Sequence, residues 1–133
     1  MTSPSSSNVG AAGLLVGRLL LASLFILEGW SKVRGYDSAV AFMQRYGVPG
    51  LLLPAVIALE LGGGLMIAVG WRARIAAAAL AGFCVLAAVL FHTNFADRNH
   101  VLHFEKDLAI AGGLLLLAMI GPGPWSLSPD SRT

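Results

Sequence analysis

The stretch Ile75–Ala96, IAAAALAGFCVLAAVLFHTNFA, carries no formal charge. A helix rises about 1.5 Å per residue and the hydrocarbon core of a bilayer is about 30 Å thick, so roughly 20 mostly apolar residues can cross it. Ile75–Ala96 meets that requirement, and so do Val9–Trp30 and Leu51–Val69. A fourth stretch is less clean. Its wholly apolar part runs from Leu108 to Ile120, and a full span reaches back to Val101 and takes in Glu105, Lys106 and Asp107. Each unsatisfied backbone group in lipid costs several kcal/mol, so all four segments are expected to be helical throughout.

Composition agrees with a membrane protein. Of 133 residues, 56% are hydrophobic and 12% charged, whereas a soluble domain is about 25% charged. That balance excludes a disordered chain, a nucleic-acid binder and an ordinary soluble enzyme. The nine basic and seven acidic residues are scattered singly, leaving no basic stripe to track phosphates. Cys84 is the single cysteine, so one chain holds neither a disulfide nor a dithiol pair.

The connections imply an up-and-down arrangement. Gly70–Arg74 leaves room only for a tight hairpin, which makes the second and third spans antiparallel neighbours. In the longer first loop Ala39, Phe42, Met43 and Tyr46 fall on one helical stripe, so Ser38–Tyr46 is expected to form a short helix in the membrane interface. Asp37 or Ser38 suits its start, and Gly47 followed by Pro49 suits its end. The expected fold is therefore all-α: an integral membrane four-helix bundle over residues 9–125, with spans at about 9–30, 51–69, 75–96 and 101–120. The Ser- and Pro-rich ends, 1–8 and 126–133, are expected to be loose tails. The first span lacks a basic leader and a clear cleavage site, so it is expected to be retained. Arg72, Arg74 and Arg132 on the tail side nearly balance Lys32, Arg34, Arg45 and Arg98 on the other. That near balance gives only a slight lean towards cytoplasmic tails.

Charges inside spanning helices are rare and costly, so they are the first functional candidates. Measured from the tail side, Arg18 and Glu60 each lie nine residues in, about 13 Å deep. A buried Arg18–Glu60 ion pair is expected, because either charge alone would be left without compensation. Its role is either helix registration or proton and ligand handling. By the same arithmetic Glu28, His92 and Lys106 form one layer towards the opposite face, with Lys32, His103 and Asp107 close by. A quinone needs donors to its carbonyl oxygens and a titratable relay such as His or Glu, and this layer offers both. His92, His103 and Lys106 are the candidate catalytic residues, and Lys32 joins them as candidate quinone-binding residues. The plainer alternative is that Glu28, Lys32 and Asp107 snorkel to the headgroups. His100 and His103 with Asp97 and Glu105 match no closed zinc or haem spacing, so no metal is expected. Gly62, Gly63, Gly64, Gly112 and Gly113 are expected to let helices approach closely.

These residues carry a family resemblance. Gly17-Arg18-Leu19-Leu20-Leu21 and Gly29-Trp30-Ser31-Lys32 resemble the first helix of the DoxX family of small membrane proteins. Leu59-Glu60-Leu61-Gly62-Gly63-Gly64 with Gly70-Trp71-Arg72-Ala73-Arg74 resembles its second helix and hairpin. Phe91-His92 and the run His103–Gly113 resemble the end of its third helix and its fourth. Glu28 and Asp107 depart from the pattern, standing where relatives usually carry a small or neutral residue and an asparagine. The resemblance implies a multi-pass protein of the bacterial inner membrane and quinone-linked redox work beside a soluble partner. It also admits a non-catalytic scaffold, since distant relatives assist receptor assembly. No flavin or nicotinamide fingerprint and no cysteine pair brings electrons in, so a redox role requires a soluble electron donor. A scaffold would instead dock its partner through the helix Ser38–Tyr46, and a transporter would need a homo-oligomer around a polar path.

Overall fold

Glycines, a proline and one aspartate set the helix ends in the computed structural model, which describes residues 4–127. The helices are α1 (Pro4–Arg34), α2 (Tyr36–Arg45), α3 (Leu53–Val69), α4 (Ala73–Phe91) and α5 (Arg98–Ile120), with a 3-10 turn at Gly50–Leu52. No strand occurs among the described residues. Gly47 takes a positive φ of 76° after α2, and its N–H and that of Val48 close the helix on the Gln44 and Met43 carbonyls. Gly70, at φ 74°, ends α3 in the same way, with its own N–H and that of Trp71 on the Met66 carbonyl. Pro54 lies in the first turn of α3, where its missing N–H costs no hydrogen bond. Asp97 caps α5 by accepting from the Asn99 N–H at 2.9 Å.

Asn8–Arg34, Gly50–Val69 and Ala73–Phe91 are each long and apolar enough to cross a membrane. At 23 residues α5 is of similar length, but His100, His103, Glu105, Lys106 and Asp107 make its first half polar. The long helices bury a shared core in which Phe25, Ile67, Leu80, Cys84 and Leu114 meet among small alanines. Leu20, Leu27, Leu86, Leu116 and Met119 remain exposed on the outside, the pattern of a surface turned towards lipid. α1 lies along α3, α3 along α4, and α4 along α5, whereas α1 and α5 barely touch.

Several boundaries differ from the sequence-based expectation. α1 begins at Pro4, so residues 4–8 are helical rather than loose. α4 stops at Phe91 instead of Ala96, because the Phe95 and Asp97 N–H groups turn onto the Thr93 and Asn94 carbonyls. The short helix is Tyr36–Arg45 in place of Ser38–Tyr46. Ser126 and Leu127 are also held. The Ser126 hydroxyl donates to the Gly123 carbonyl, and the Leu127 N–H donates to the Val69 carbonyl at 3.0 Å. The remaining tail positions, 1–3 and 128–133, lie outside the described residues. Of the glycines expected to pack, Gly63 meets Leu80 and Gly64 meets Ile26 and Ala22, whereas Gly62 and Gly112 have open space beside them.

Candidate ligand-binding cavity

The end of α1, the start of α3, the end of α4 and the start of α5 surround a cavity of about 680 Å³ that α2 covers. That volume lies within the usual range of small-molecule sites, roughly 300–1,000 Å³. The expected site residues Lys32, His92, His103 and Lys106 all line it, as do Glu28, Glu60 and Asp107. Residues of α1, α3 and α5, with His92 at the end of α4, thus share one space.

Two polar groupings can be distinguished in it. On the α1 side Lys32 lies between two carboxylates, with its Nζ 2.9 Å from Glu60 Oε1 and 3.6 Å from Glu28 Oε1. Side-chain exposure rises along the three, from 4% at Glu60 through 27% at Lys32 to 56% at Glu28. On the other side the His92 and His103 rings stack with centroids 5.0 Å apart, and His100 meets His92 edge-on at 5.8 Å. His92 Nε2 is 3.7 Å from Asp107 Oδ2, beyond direct hydrogen-bond range. Burial pushes the His92 imidazole below its ordinary pKa, and His103 and His100 add to the effect. His92 is therefore neutral at pH 7, with one ring nitrogen free to accept a proton or a hydrogen bond.

An aromatic cover closes the outer side. Phe42 of α2 and Tyr46 just after it pack on Phe91, with ring centroids 5.2 and 5.3 Å away, and on each other at 5.1 Å. Tyr46 also approaches His100 at 6.4 Å. Tyr46 and Phe42 were legible only as an apolar stripe, and His100 only as one of two spaced histidines. Their position on the cavity depends on how α2 folds back, which spacing does not show. Among the described residues no group of three or more His, Cys, Asp and Glu side chains is arranged to hold a metal ion.

The expected Arg18–Glu60 pair does not form. Arg18 Nη1 donates to the Pro122 carbonyl at 2.6 Å, and Nη2 donates to the Ala68 and Trp125 carbonyls at 3.2 and 3.0 Å. Arg18 thus lies level with Ala68, eight residues and about 12 Å along α3 from Glu60. The physical reason is the contact between α1 and α3, where Gly64 nestles against Ala22 and Ile26, and Gly29 against Leu61. That register puts Lys32, and not Arg18, opposite Glu60. Arg18 therefore lies outside the cavity and secures the segment after α5.

Three apolar helices, a polar cavity at one end of them and an aromatic cover define a small multi-pass membrane protein. No solved structure matches the chain. The chain belongs to the DoxX family, whose profile matches residues 13–93. It is 50% identical over 115 residues to "Inner membrane protein YqjF" of Escherichia coli (strain K12), covering 86% of this chain and 88% of that one. "Inner membrane protein YphA" of the same organism is 34% identical over 121 residues, 86% of each chain. "Putative oxidoreductase CatD" of Bacillus subtilis (strain 168) is 30% identical over 63 residues, 47% of each. The protein is accordingly an inner-membrane protein.

Proposed function

We propose that this protein is the membrane subunit of a quinone-linked oxidoreductase system, binding a quinone head in the cavity and receiving electrons from a soluble partner. In this reading α1, α3, α4 and α5 all span the bilayer as an up-and-down bundle, and α2 lies in the interface as the cover of the cavity. The observation that carries it is the convergence of Lys32, His92, His103 and Lys106 on one cavity large enough for such a head. The oxidoreductase label in the CatD name supports the redox class, by analogy alone.

The donor set fits a ligand with two carbonyl oxygens. A bound quinone supplies the electron-carrying group that this chain's own residues lack. Lys106 and the histidines serve as hydrogen-bond donors, and neutral His92 is able to hold a proton beside the ligand. Phe42, Tyr46 and Phe91 shield the space from water and offer ring faces to a flat head.

Titration of the detergent-solubilised protein with decylubiquinone should show saturable, stoichiometric binding. His103→Ala and Lys106→Ala should each weaken it by about tenfold or more, the scale of one lost charge-assisted or buried hydrogen bond, while circular dichroism stays unchanged. Absence of binding by the intact protein would leave the scaffold reading in its place, with Gln44 and Arg45 on the exposed side of α2 as the first docking positions to alter.

A further inference from the structure

Lys32 stands within reach of two carboxylates of very different surroundings. It is 2.9 Å from Glu60, whose side chain is almost wholly buried, and 3.6 Å from Glu28, which is more than half exposed. All three line the cavity. Lys32 can therefore change partner by turning its flexible four-carbon stem, with no movement of α1, because Glu28 lies one helical turn away on the same face. Glu60 has no such freedom. It is packed in the middle of α3, and its near neighbours there are glycines and leucines.

The consequence follows from desolvation. A buried carboxylate that loses its cation is strongly disfavoured as an ion and takes up a proton instead. A neutral carboxylic acid is then a hydrogen-bond donor, which a carboxylate is not. A ligand carbonyl approaching Glu60 would meet repulsion from the ionised form and a good donor in the neutral one.

We propose that ligand binding in this cavity is coupled to protonation of Glu60: Lys32 leaves Glu60 for Glu28, and Glu60 takes one proton from water and donates it as a hydrogen bond to a carbonyl oxygen of the ligand. This rests on the quinone reading above and assigns it a proton-linked switch, in which Lys32 is the positioning residue and Glu60 the ligand-contacting one. The proton enters at the exposed Glu28 end of the trio, and no electron transfer is involved in the step. The charge balance closes, because Lys32 keeps Glu28, already 3.6 Å away, as its partner and the added proton cancels the charge left on Glu60.

Other titratable groups share the space and could take up the proton instead. Cys84 of α4, His103, Lys106 and Asp107 of α5, and His92 and His100 all line the same cavity. The experiment separates them. Decylubiquinone binding to the full-length protein is measured by calorimetry at pH 7 and 8 in buffers of different ionisation enthalpy, which reads protons taken up per ligand bound. The intact protein should take up about one proton, and its dissociation constant should rise about tenfold per pH unit where free Glu60 is ionised.

Glu60→Gln keeps a buried amide donor and should bind with no uptake and no pH dependence. Lys32→Met removes the cation, so Glu60 is already neutral; this variant loses some affinity with its lysine, and the binding it keeps should come without proton uptake. Should Glu60→Gln fail to fold, Lys32→Met carries the test. Binding by the intact protein with no proton uptake would overturn the switch and leave the quinone reading standing. Uptake that persists in a folded Glu60→Gln or Lys32→Met protein would overturn it as well and place the proton on another group, such as a histidine. No binding at all would overturn both.

Discussion

Arg18→Met should release the segment Gly121–Leu127 from the end of the bundle and cost about 3 kcal/mol or more of stability. Arg18 is 3% exposed and donates to three carbonyls, those of Ala68, Pro122 and Trp125. Methionine fills much of the same volume but donates nothing, so three acceptors lose their partner, each at roughly 1–3 kcal/mol where no water replaces it. Pro122 is fully buried under this clasp, and its exposure would add to the loss. A second arginine does related work on the other side of the segment. Arg74 donates to the Ala118, Met119 and Ile120 carbonyls, satisfying the last turn of α5. With Arg74 intact α5 should stay folded, so the expected signature is local. Protease cleavage should appear after Gly121, and thermal unfolding by circular dichroism should occur at lower temperature. Arg18→Lys keeps the charge but loses the planar fork that serves three carbonyls at once, and should fall between. An unchanged midpoint and an uncleaved methionine variant would show that the clasp adds nothing to stability.

That clasp also shows where the sequence stopped being legible. The helices were readable because length and apolarity are local properties: Leu51–Val69 and Val101–Ile120 differ from the helices α3 and α5 by two or three residues at one end. The layer of Glu28, Lys32, His92, His103 and Lys106 was readable because helix rise converts residue count into depth, and all of them line the cavity. The partner of Glu60 was not readable in this way. Depth counted from assumed span ends assigned Arg18 to Glu60, whereas the glycine contacts between α1 and α3 set the register about 12 Å away. A helix can slide along its neighbour without changing its composition, so register belongs to packing. The folded-back C-terminal segment was hidden for a similar reason. Its Ser- and Pro-rich stretch carries no sign of order, and what orders it is a donor 104 residues away in the chain.

Register makes the second large expected effect a matter of one glycine. A Cβ built on Gly64 would lie 2.9 Å from Ile26 Cγ1 and 3.3 Å from both the Ala22 carbonyl oxygen and the Ile26 nitrogen. The Ile26 side chain can turn away, but the two backbone atoms belong to α1 itself and yield only if the whole helix moves. Gly64→Val should therefore push α1 off α3, at the 1–3 kcal/mol typical of overpacking or above it. The α1 and α3 walls of the cavity lie at the far end of the same contact, where Lys32 and Glu60 are 2.9 Å apart, so a displacement of an ångström misplaces the groups that line the cavity. Decylubiquinone binding should then be lost along with stability. Gly62→Val supplies the control, because a Cβ at Gly62 meets nothing within 4 Å. The two substitutions share a helix, a side chain and the same intrinsic helix propensity, so any difference between them reports the contact with α1. Thermal unfolding and quinone titration of both variants read it directly: Gly62→Val should match the parent protein, and Gly64→Val should fail in both measurements. Equal behaviour of the two would mean that something other than glycine contact holds Lys32 opposite Glu60.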